Sequence, residues 1–161
     1  MSAEERIGEL GIVLPAPWEL PKGVKIPAVL VRVYNGRALV SGHVPLDSSG
    51  HIIGPFGKVG GEISLEQAQQ AARLATLAIL SSLKKTLRDL DRIKGWLRLY
   101  GMVNSAPDFN QFPLVLNAAS ELIHQIFGPA VGEHARVAIG VAGLPWNAPV
   151  EIEAEVAIDA L

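Results

Sequence analysis

Apolar residues recur along this chain at two different spacings, which separate predicted helices from predicted strands. Over residues 65–83 they return every three or four positions, and Ser64 with Gln67 forms a capping box just ahead of them. A second helical pattern runs from 109 to 127 and meets Gly128, followed by proline, a combination that ends helices. We therefore predict two long helices.

The N-terminal part carries a shorter helical signal. Ser2 and Glu5 have capping-box spacing, and apolar residues follow at helical intervals until Gly11. Prolines then interrupt any regular pattern, so we expect an extended strap along the surface that is held in place by Trp18. This N-terminal helix and proline-rich strap, 1–27, would belong to a single domain that spans the chain.

Alternation with a period of two predicts the strands. Strand-like runs cover 28–34, 37–41 and 93–103. Asn35 and Gly36 join the first two runs and tolerate the positive φ angles of a tight hairpin turn. The third run has bulky residues on both faces, which is typical of a central strand.

The order of these elements predicts the fold class. It indicates an α/β (α+β) chain in which two long helices pack on one face of a mixed sheet. The opposite face would carry Trp96 and Tyr100 of the central strand. Because an apolar sheet face of this kind needs a cover, we expect a partner subunit to lie on it.

The segment from residue 134 onward carries the most suggestive chemistry. Two strand-like runs flank a turn cluster of Gly, Pro and Asn, which predicts a terminal hairpin. Arg136 begins the first run, and Glu151, Glu153 and Glu155 share one face of the second. The commoner explanation is an ion pair from Arg136 to Glu151 or Glu153 across the hairpin. The alternative is that the arginine grips a carboxylate while a glutamate directs a water molecule.

Composition narrows the functional classes. The 161 residues are 49% hydrophobic and carry 14 basic and 16 acidic side chains, for a net charge of −2. No basic stripe favours a nucleic-acid partner, and no apolar run reaches the roughly 18 residues of a membrane span. The acidic N-terminus is unlike a secretory signal, so we expect a soluble cytoplasmic protein.

The sequence lacks the residues or motifs that several catalytic mechanisms require. The absence of cysteine excludes disulfides, thiolate zinc sites and a cysteine nucleophile. The four histidines have no metal-binding spacing, and no serine occupies a Gly-x-Ser-x-Gly elbow. We expect no metal site and no serine-hydrolase site.

Several short motifs, weak singly, together resemble one family. They are Glu5-Arg-Ile-Gly-Glu-Leu, Val40-Ser-Gly-His-Val-Pro, Gly57-Lys-Val-Gly, Val103-Asn-Ser-Ala-Pro-Asp-Phe, Ala135-Arg-Val-Ala-Ile-Gly-Val, Leu144-Pro and Val150-Glu-Ile-Glu-Ala. Through them the chain resembles the Rid (reactive intermediate deaminase) family, formerly YjgF and often labelled endoribonuclease L-PSP, in a branch with longer chains.

The resemblance implies a chorismate-mutase-like fold and a homotrimer with active sites in the clefts between subunits. It also implies hydrolysis of reactive 2-imino acids, as enamines or imines, to 2-keto acids and ammonia without a cofactor. The family's carboxylate-binding arginine corresponds to Arg136, and its water-positioning glutamate corresponds to Glu151. Further positions that the resemblance places near substrate are Ser41, Gly42, Asn117 and Ala138.

Lys25 departs from the family pattern. The family commonly has a tyrosine there that closes the pocket, and Lys25 takes its place beside the substrate in the expected cleft. This difference leaves a second function open, a non-enzymatic module that binds a small carboxylate such as a 2-keto acid. RNA cleavage, the activity in the older family label, is disfavoured by the near-neutral charge.

Overall fold

One mixed sheet and two long helices make up the computed structural model, which describes residues 1–159. The helices are α1 (Ala3–Glu9), α2 (Leu65–Leu87) and α3 (Phe112–Gly132), and the strands are β1 (Val31–Tyr34), β2 (Arg37–His43), β3 (Ile93–Asn104), β4 (Ala135–Val141) and β5 (Val150–Ile158). The strand order is β1-β2-β5-β3-β4, and the β3–β4 pair alone is parallel in the described sheet. As predicted, α2 and α3 pack side by side on one face.

Both predicted capping boxes are confirmed. The Ser2 hydroxyl accepts from the Glu5 amide at 3.2 Å, and the Glu5 carboxylate accepts from the Ser2 amide at 2.7 Å. Ser64 and Gln67 make the same exchange at the start of α2. Within residues 1–159, no helix is both long enough and apolar enough to cross a membrane.

The second long helix differs from its predicted bounds at both ends. It begins at Phe112 rather than 109, with Pro113 in the first turn, where a missing amide hydrogen costs nothing. Gly128 interrupts it with φ of 70°, as the Gly-Pro pair predicts, but one more turn follows up to Gly132. That extra turn brings the chain to the start of β4.

The predicted terminal hairpin is wrong. β4 pairs in parallel with β3, and β5 pairs antiparallel with β2 and β3, so β3 lies between the two supposed hairpin strands. The reason is the α3 crossover, which is long enough to return the chain parallel to β3 and so open a new sheet edge. The following loop then passes over β3 to reach β5.

β3 is an interior strand between β5 and β4, although β5 rather than β3 is the middle strand of the sheet, and one side chain of β3 faces the opposite way to the prediction. A register shift between Trp96 and Arg98 turns Trp96 toward the helices, where its side chain is 2% exposed. Its ring centre lies 5.5 Å from that of Phe127. Tyr100 stays on the helix-free side, which we call the open face, with the Arg98 guanidinium 5.8 Å from its ring centre. The prediction for Trp96 was therefore wrong.

The strap between α1 and β1 has no regular structure, as expected. Trp18 is 8% exposed, and its ring lies 5.2 Å from that of His43 and 6.2 Å from that of Trp146. The amide of Ala16 also donates to the Ser48 carbonyl at 2.9 Å. Trp18 thus holds the strap against the end of β2.

Candidate functional site

Arg136 of β4 lies on the helix-covered side of the sheet. It pairs in register with buried Leu99, and in-register residues of neighbouring strands share a face. Its Nη2 donates to Asn117 Oδ1 at 2.7 Å and, at 3.4 Å, to the Pro113 carbonyl, while Nη1 donates to Ser120 Oγ at 3.0 Å. All these acceptors are uncharged, so the guanidinium keeps its positive charge available for an anion.

The expected ion pair from Arg136 to Glu151 or Glu153 is absent. Among residues 1–159, Arg136 makes no ion pair, and Glu155 instead bonds to Arg37 at 2.8 Å. The intervening β3 explains the failure, since β4 and β5 are not neighbours. This result removes the simplest structural explanation for the arginine.

Ser120 joins Arg136 to a histidine. The Nδ1 of His134 lies 2.6 Å from the Gly132 carbonyl, and its Nε2 lies 2.9 Å from Ser120 Oγ. Because a carbonyl can only accept, Nδ1 carries the proton and Nε2 accepts from the Ser120 hydroxyl. Burial is the main cause that lowers the pKa of His134, with His124 and Arg136 adding repulsion, so the ring stays neutral near pH 7. This chain of hydrogen bonds orients the guanidinium.

A shallow cavity of about 470 Å³ surrounds this arginine at the β4 edge. Its lining is polar and consists of Asn117, Ser120, Glu121, His124, Glu133, His134 and Arg136. Ala138 lies two residues further along β4 on the same side, in register with Gly101. Arg136 and Asn117 therefore meet in this cavity, and Ala138 lies beside it on the same side of β4. We call Arg136, Asn117 and Ala138 the arginine half-site.

A second group of predicted residues meets where β2 crosses β5. The β2–β5 register shifts between Val40 and His43, which places Ser41 and Gly42 in a bulge. A Cβ built on Gly42 would collide with the carboxylate of Glu151, so only glycine permits this close approach. We call Ser41, Gly42 and Glu151 the glutamate half-site.

The bulge is anchored by two side chains. The Ser41 hydroxyl donates to the Val29 carbonyl at 2.7 Å. The Nδ1 of fully buried His43 lies 2.6 Å from the Ser41 carbonyl, and its Nε2 lies 2.7 Å from Ser82 Oγ. Burial lowers the pKa of His43 to about 4, so the ring is neutral near pH 7 and donates through Nδ1.

Glu151 has the electrostatics of a proton acceptor. Its side chain is half-buried, and burial, followed by repulsion from Glu153, raises the pKa of its carboxyl group. It makes no side-chain hydrogen bond or ion pair with the described residues, in contrast to Glu155. A carboxylate with a raised pKa and unshared lone pairs is suited to take a proton from water.

The two half-sites do not form one site within the chain. Glu151 pairs with Met102 on the open face, whereas Arg136 pairs with Leu99 on the helix side. Their residues are offset by three positions, about 10 Å along the strands, and by two strands, about 10 Å across the sheet. A single reacting molecule cannot touch both side chains of the same copy.

The remaining predicted residues lie apart from both half-sites. Glu153 is exposed on the open face, and Glu155 is occupied by Arg37. Lys25 is exposed in the irregular segment before β1, and its side chain makes no hydrogen bond or ion pair within residues 1–159. No three acidic or histidine side chains of the described chain are grouped to hold a metal ion.

Ser120, His134 and His43 are the polar residues that sequence reasoning missed. Ser120 stands three residues after Asn117, so a helical count would have put both on one face. Nothing in the sequence marks the histidines, because their partners come from other elements.

The chain matches known proteins over most of its length. The model of the family described as "YjgF/chorismate mutase-like, putative endoribonuclease" matches residues 26–153. Protein TCP17 of Trypanosoma cruzi is 39% identical over 145 residues, which cover 85% of this chain and 89% of that protein.

Two solved structures extend the likeness to three dimensions. Atu1372 of Agrobacterium tumefaciens, a protein of unknown function, is 39% identical with a TM-score of 0.85, covering 98% of this chain and 92% of its own. An endoribonuclease-like protein of Shewanella oneidensis is 27% identical with a TM-score of 0.86, covering 98% and 100%. The motifs, the sheet order and these matches agree, and the chain belongs to the YjgF (Rid) family with its chorismate-mutase-like fold.

Proposed function

We propose that this protein hydrolyses reactive 2-imino acids to 2-keto acids and ammonia, in clefts formed between copies of the chain in a homotrimer. One observation carries the proposal. The anion-binding arginine half-site and the proton-accepting glutamate half-site are each incomplete and lie on opposite faces of one sheet. They complement each other only if two chains contribute to one cleft.

The proposed reaction depends more on positioning the substrate and water than on activating the imine carbon. An imine carbon is already electrophilic, so Arg136 need only hold the substrate carboxylate. Glu151 accepts a proton from water as the water oxygen bonds to the imine carbon. The imine nitrogen takes up that proton from the Glu151 carboxyl group, which leaves a tetrahedral carbon bearing a hydroxyl and an amino group. The hydroxyl proton then passes through Glu151 to the amino nitrogen, the C–N bond breaks to release ammonia, and a C=O bond forms. Each copy thus supplies an anchor to one cleft and a base to another.

The open face supports the assembly part of the proposal. Leu39 is 46% exposed there and Tyr34 is 61% exposed, beside the half-buried Tyr100 and Met102. Large exposed apolar side chains among charged ones are typical of a surface that a protein partner covers. A second copy of the chain would shield them and bring its own half-sites close.

A second candidate is a carboxylate-binding module without turnover. The arginine half-site alone can hold a 2-keto acid, because the guanidinium has no charged partner within the described chain. The exposed Lys25, where the family commonly has a pocket-closing tyrosine, favours this reading. It needs no proton transfer by Glu151.

Keto-acid release measures the proposed reaction. A 2-imino acid is generated in the cuvette by oxidation of an amino acid, and we expect the wild-type protein to accelerate the appearance of 2-keto acid over the buffer rate. With the substrate well below KM, Arg136→Ala and Glu151→Gln should each remove most of the acceleration. Wild-type protein that gives no acceleration, but binds 2-keto acids in a calorimeter through Arg136, would instead identify the binding module.

Mixing the two variants tests the shared cleft. Co-refolded Arg136→Ala and Glu151→Gln chains should recover roughly a quarter of the wild-type rate, because one cleft in four receives both intact residues. The matched control mixes Arg136→Ala with an Arg136→Ala/Glu151→Gln double variant, which cannot build an intact cleft. No recovery in the first mixture, when mass measurements show mixed oligomers, would contradict a site made by two chains.

A further inference from the structure

A separate cavity of about 480 Å³ lies between the strap, the start of β1 and the last turns of α2. Its apolar wall is formed by Pro17, Trp18, Val29, Leu30 and Val31. β1 and β4 are the two edge strands of the sheet, so four strand spacings, about 19 Å, separate this cavity from the β4 edge. The cavity is therefore distinct from the arginine half-site.

The rim of this cavity is positively charged. Lys85 and Arg88 line it, and no carboxylate does. Neither cation forms an ion pair within residues 1–159, whereas the adjacent Lys84 is paired with Glu4 at 2.7 Å. Two cations without a counter-charge at one mouth favour an anionic occupant.

Two side chains in the wall of the cavity carry polar groups and are almost fully buried. Trp18 is 8% exposed, and its indole Nε1–H has no acceptor among the described residues. Ser82 is 3% exposed and lines the same cavity. A buried donor without an acceptor is uncommon in a folded protein, because burial removes its hydrogen bond to water.

We propose that this cavity is a second ligand site, which binds a small organic acid with an apolar, flat body. The body would pack between the Trp18 ring and the β1 residues, and the carboxylate would meet Lys85 and Arg88. The volume lies within the roughly 300–1,000 Å³ of typical small-molecule sites, and an apolar wall with few polar groups is their usual lining.

The cavity also touches the support of the glutamate half-site. Ser82 donates to His43 Nε2, and His43 Nδ1 donates to the Ser41 carbonyl. A ligand against Ser82 is therefore two hydrogen bonds from the bulge that faces Glu151. The site is defined by its own lining and does not depend on the proposed deaminase activity.

Phenylacetate is a suitable probe, and phenylacetamide is its uncharged match. Calorimetry on the full chain should show one phenylacetate bound per chain, with a change in tryptophan fluorescence from Trp18. Lys85→Gln should weaken binding by about threefold to tenfold, the effect of one partly exposed charge. Lys84→Gln, which removes a neighbouring charge outside the cavity, should leave the affinity within about twofold.

Three results would overturn the proposal. They are no binding by the wild-type chain up to the solubility limit, equal affinity for phenylacetamide, and equal affinity in Lys85→Gln. Arg136→Ala separates this site from the proposed active site, since it should not alter phenylacetate binding. Loss of binding in Arg136→Ala would place the probe at the arginine half-site and also refute the second site.

Discussion

The arginine half-site and the glutamate half-site differ in the hydrogen-bond partners that surround their charged group. Arg136 is surrounded by neutral acceptors from α3, which hold the guanidinium in place without cancelling its charge. Glu151 has no side-chain partner in the described chain, and burial raises its pKa. One half is built to keep a charge and the other to exchange a proton. If both serve one reaction, the first should govern binding and the second turnover.

The largest effect is expected from Glu151→Gln. An amide of the same shape cannot accept a proton, so kcat should fall by about 100-fold or more, while KM changes little. Steady-state keto-acid release measures both constants. Glu155→Gln is the matched control, because its carboxylate is bonded to Arg37 and should not contribute to turnover.

The same glutamate should give the wild-type rate a pH dependence. Activity should rise with pH through the raised pKa of Glu151 and then level off, because the ionised form is the base. Stability should move the opposite way. Because the pKa of Glu151 is higher in the folded state, the folded protein binds this proton more tightly than the unfolded chain does. The stability that the bound proton contributes is therefore lost as pH rises from the unfolded to the folded pKa of Glu151. A Glu151→Gln protein that is less stable than wild type at neutral pH would contradict the cause assigned to the raised pKa.

Arg136→Ala should act on KM. Loss of a charge-assisted contact to the substrate carboxylate costs about 1.5–3 kcal/mol, which predicts roughly a 10- to 100-fold increase in KM. Arg73→Ala on α2 controls for the general loss of a positive charge. An Arg136→Ala variant that lowers kcat at unchanged KM would contradict the proposed roles, in which the arginine half-site governs binding and the glutamate half-site governs turnover.

Acid should weaken the support of the glutamate half-site. The pKa of His43 is lowered to about 4 in the folded state, below its usual 6.5, so the unfolded chain binds more protons between those values. Stability should therefore fall as pH drops below about 6, by up to about 3 kcal/mol at pH 4. Urea unfolding at several pH values measures this slope.

Two histidine variants separate this contribution from other titrations. His43→Asn should lower stability at pH 7.5 and flatten the acid slope, while His51→Gln, at an exposed position, should keep the slope. An unchanged slope in His43→Asn would show that other groups cause the acid loss.

Gly42→Ala should give the smallest effect and the finest test of geometry. The added methyl would collide with the Glu151 side chain, which can swing away at little cost to the fold. We expect kcat to fall by about tenfold, about 1.4 kcal/mol, with thermal stability nearly unchanged. Gly95→Ala is the control, since a Cβ there meets nothing within 4 Å. Equal kcat in both variants would argue that the position of Glu151 does not matter.

Local signals account for the parts of the fold that sequence reasoning predicted correctly. The capping boxes at Ser2 and Ser64 and the turn at Asn35-Gly36 depend on residues within a few positions of one another. The pairing of β4 with β3 depends on the α3 crossover and on competition between strands distant in sequence. The bulge that turns Trp96 inward likewise comes from pairing with β5, which adjacent residues do not encode.

By itself the sequence determined the helices, the first hairpin, the interior strand β3 and, through its motifs, the family. It also identified Arg136 and Glu151 as residues worth attention. Only the tertiary structure decided that they occupy opposite faces, that α3 rather than β5 surrounds the arginine, and that Gly42 makes room for the glutamate. The physical reason is the sequence separation of the interactions. Caps and turns are stabilised by residues close together in the sequence, whereas a site is assembled by packing between elements far apart in the chain.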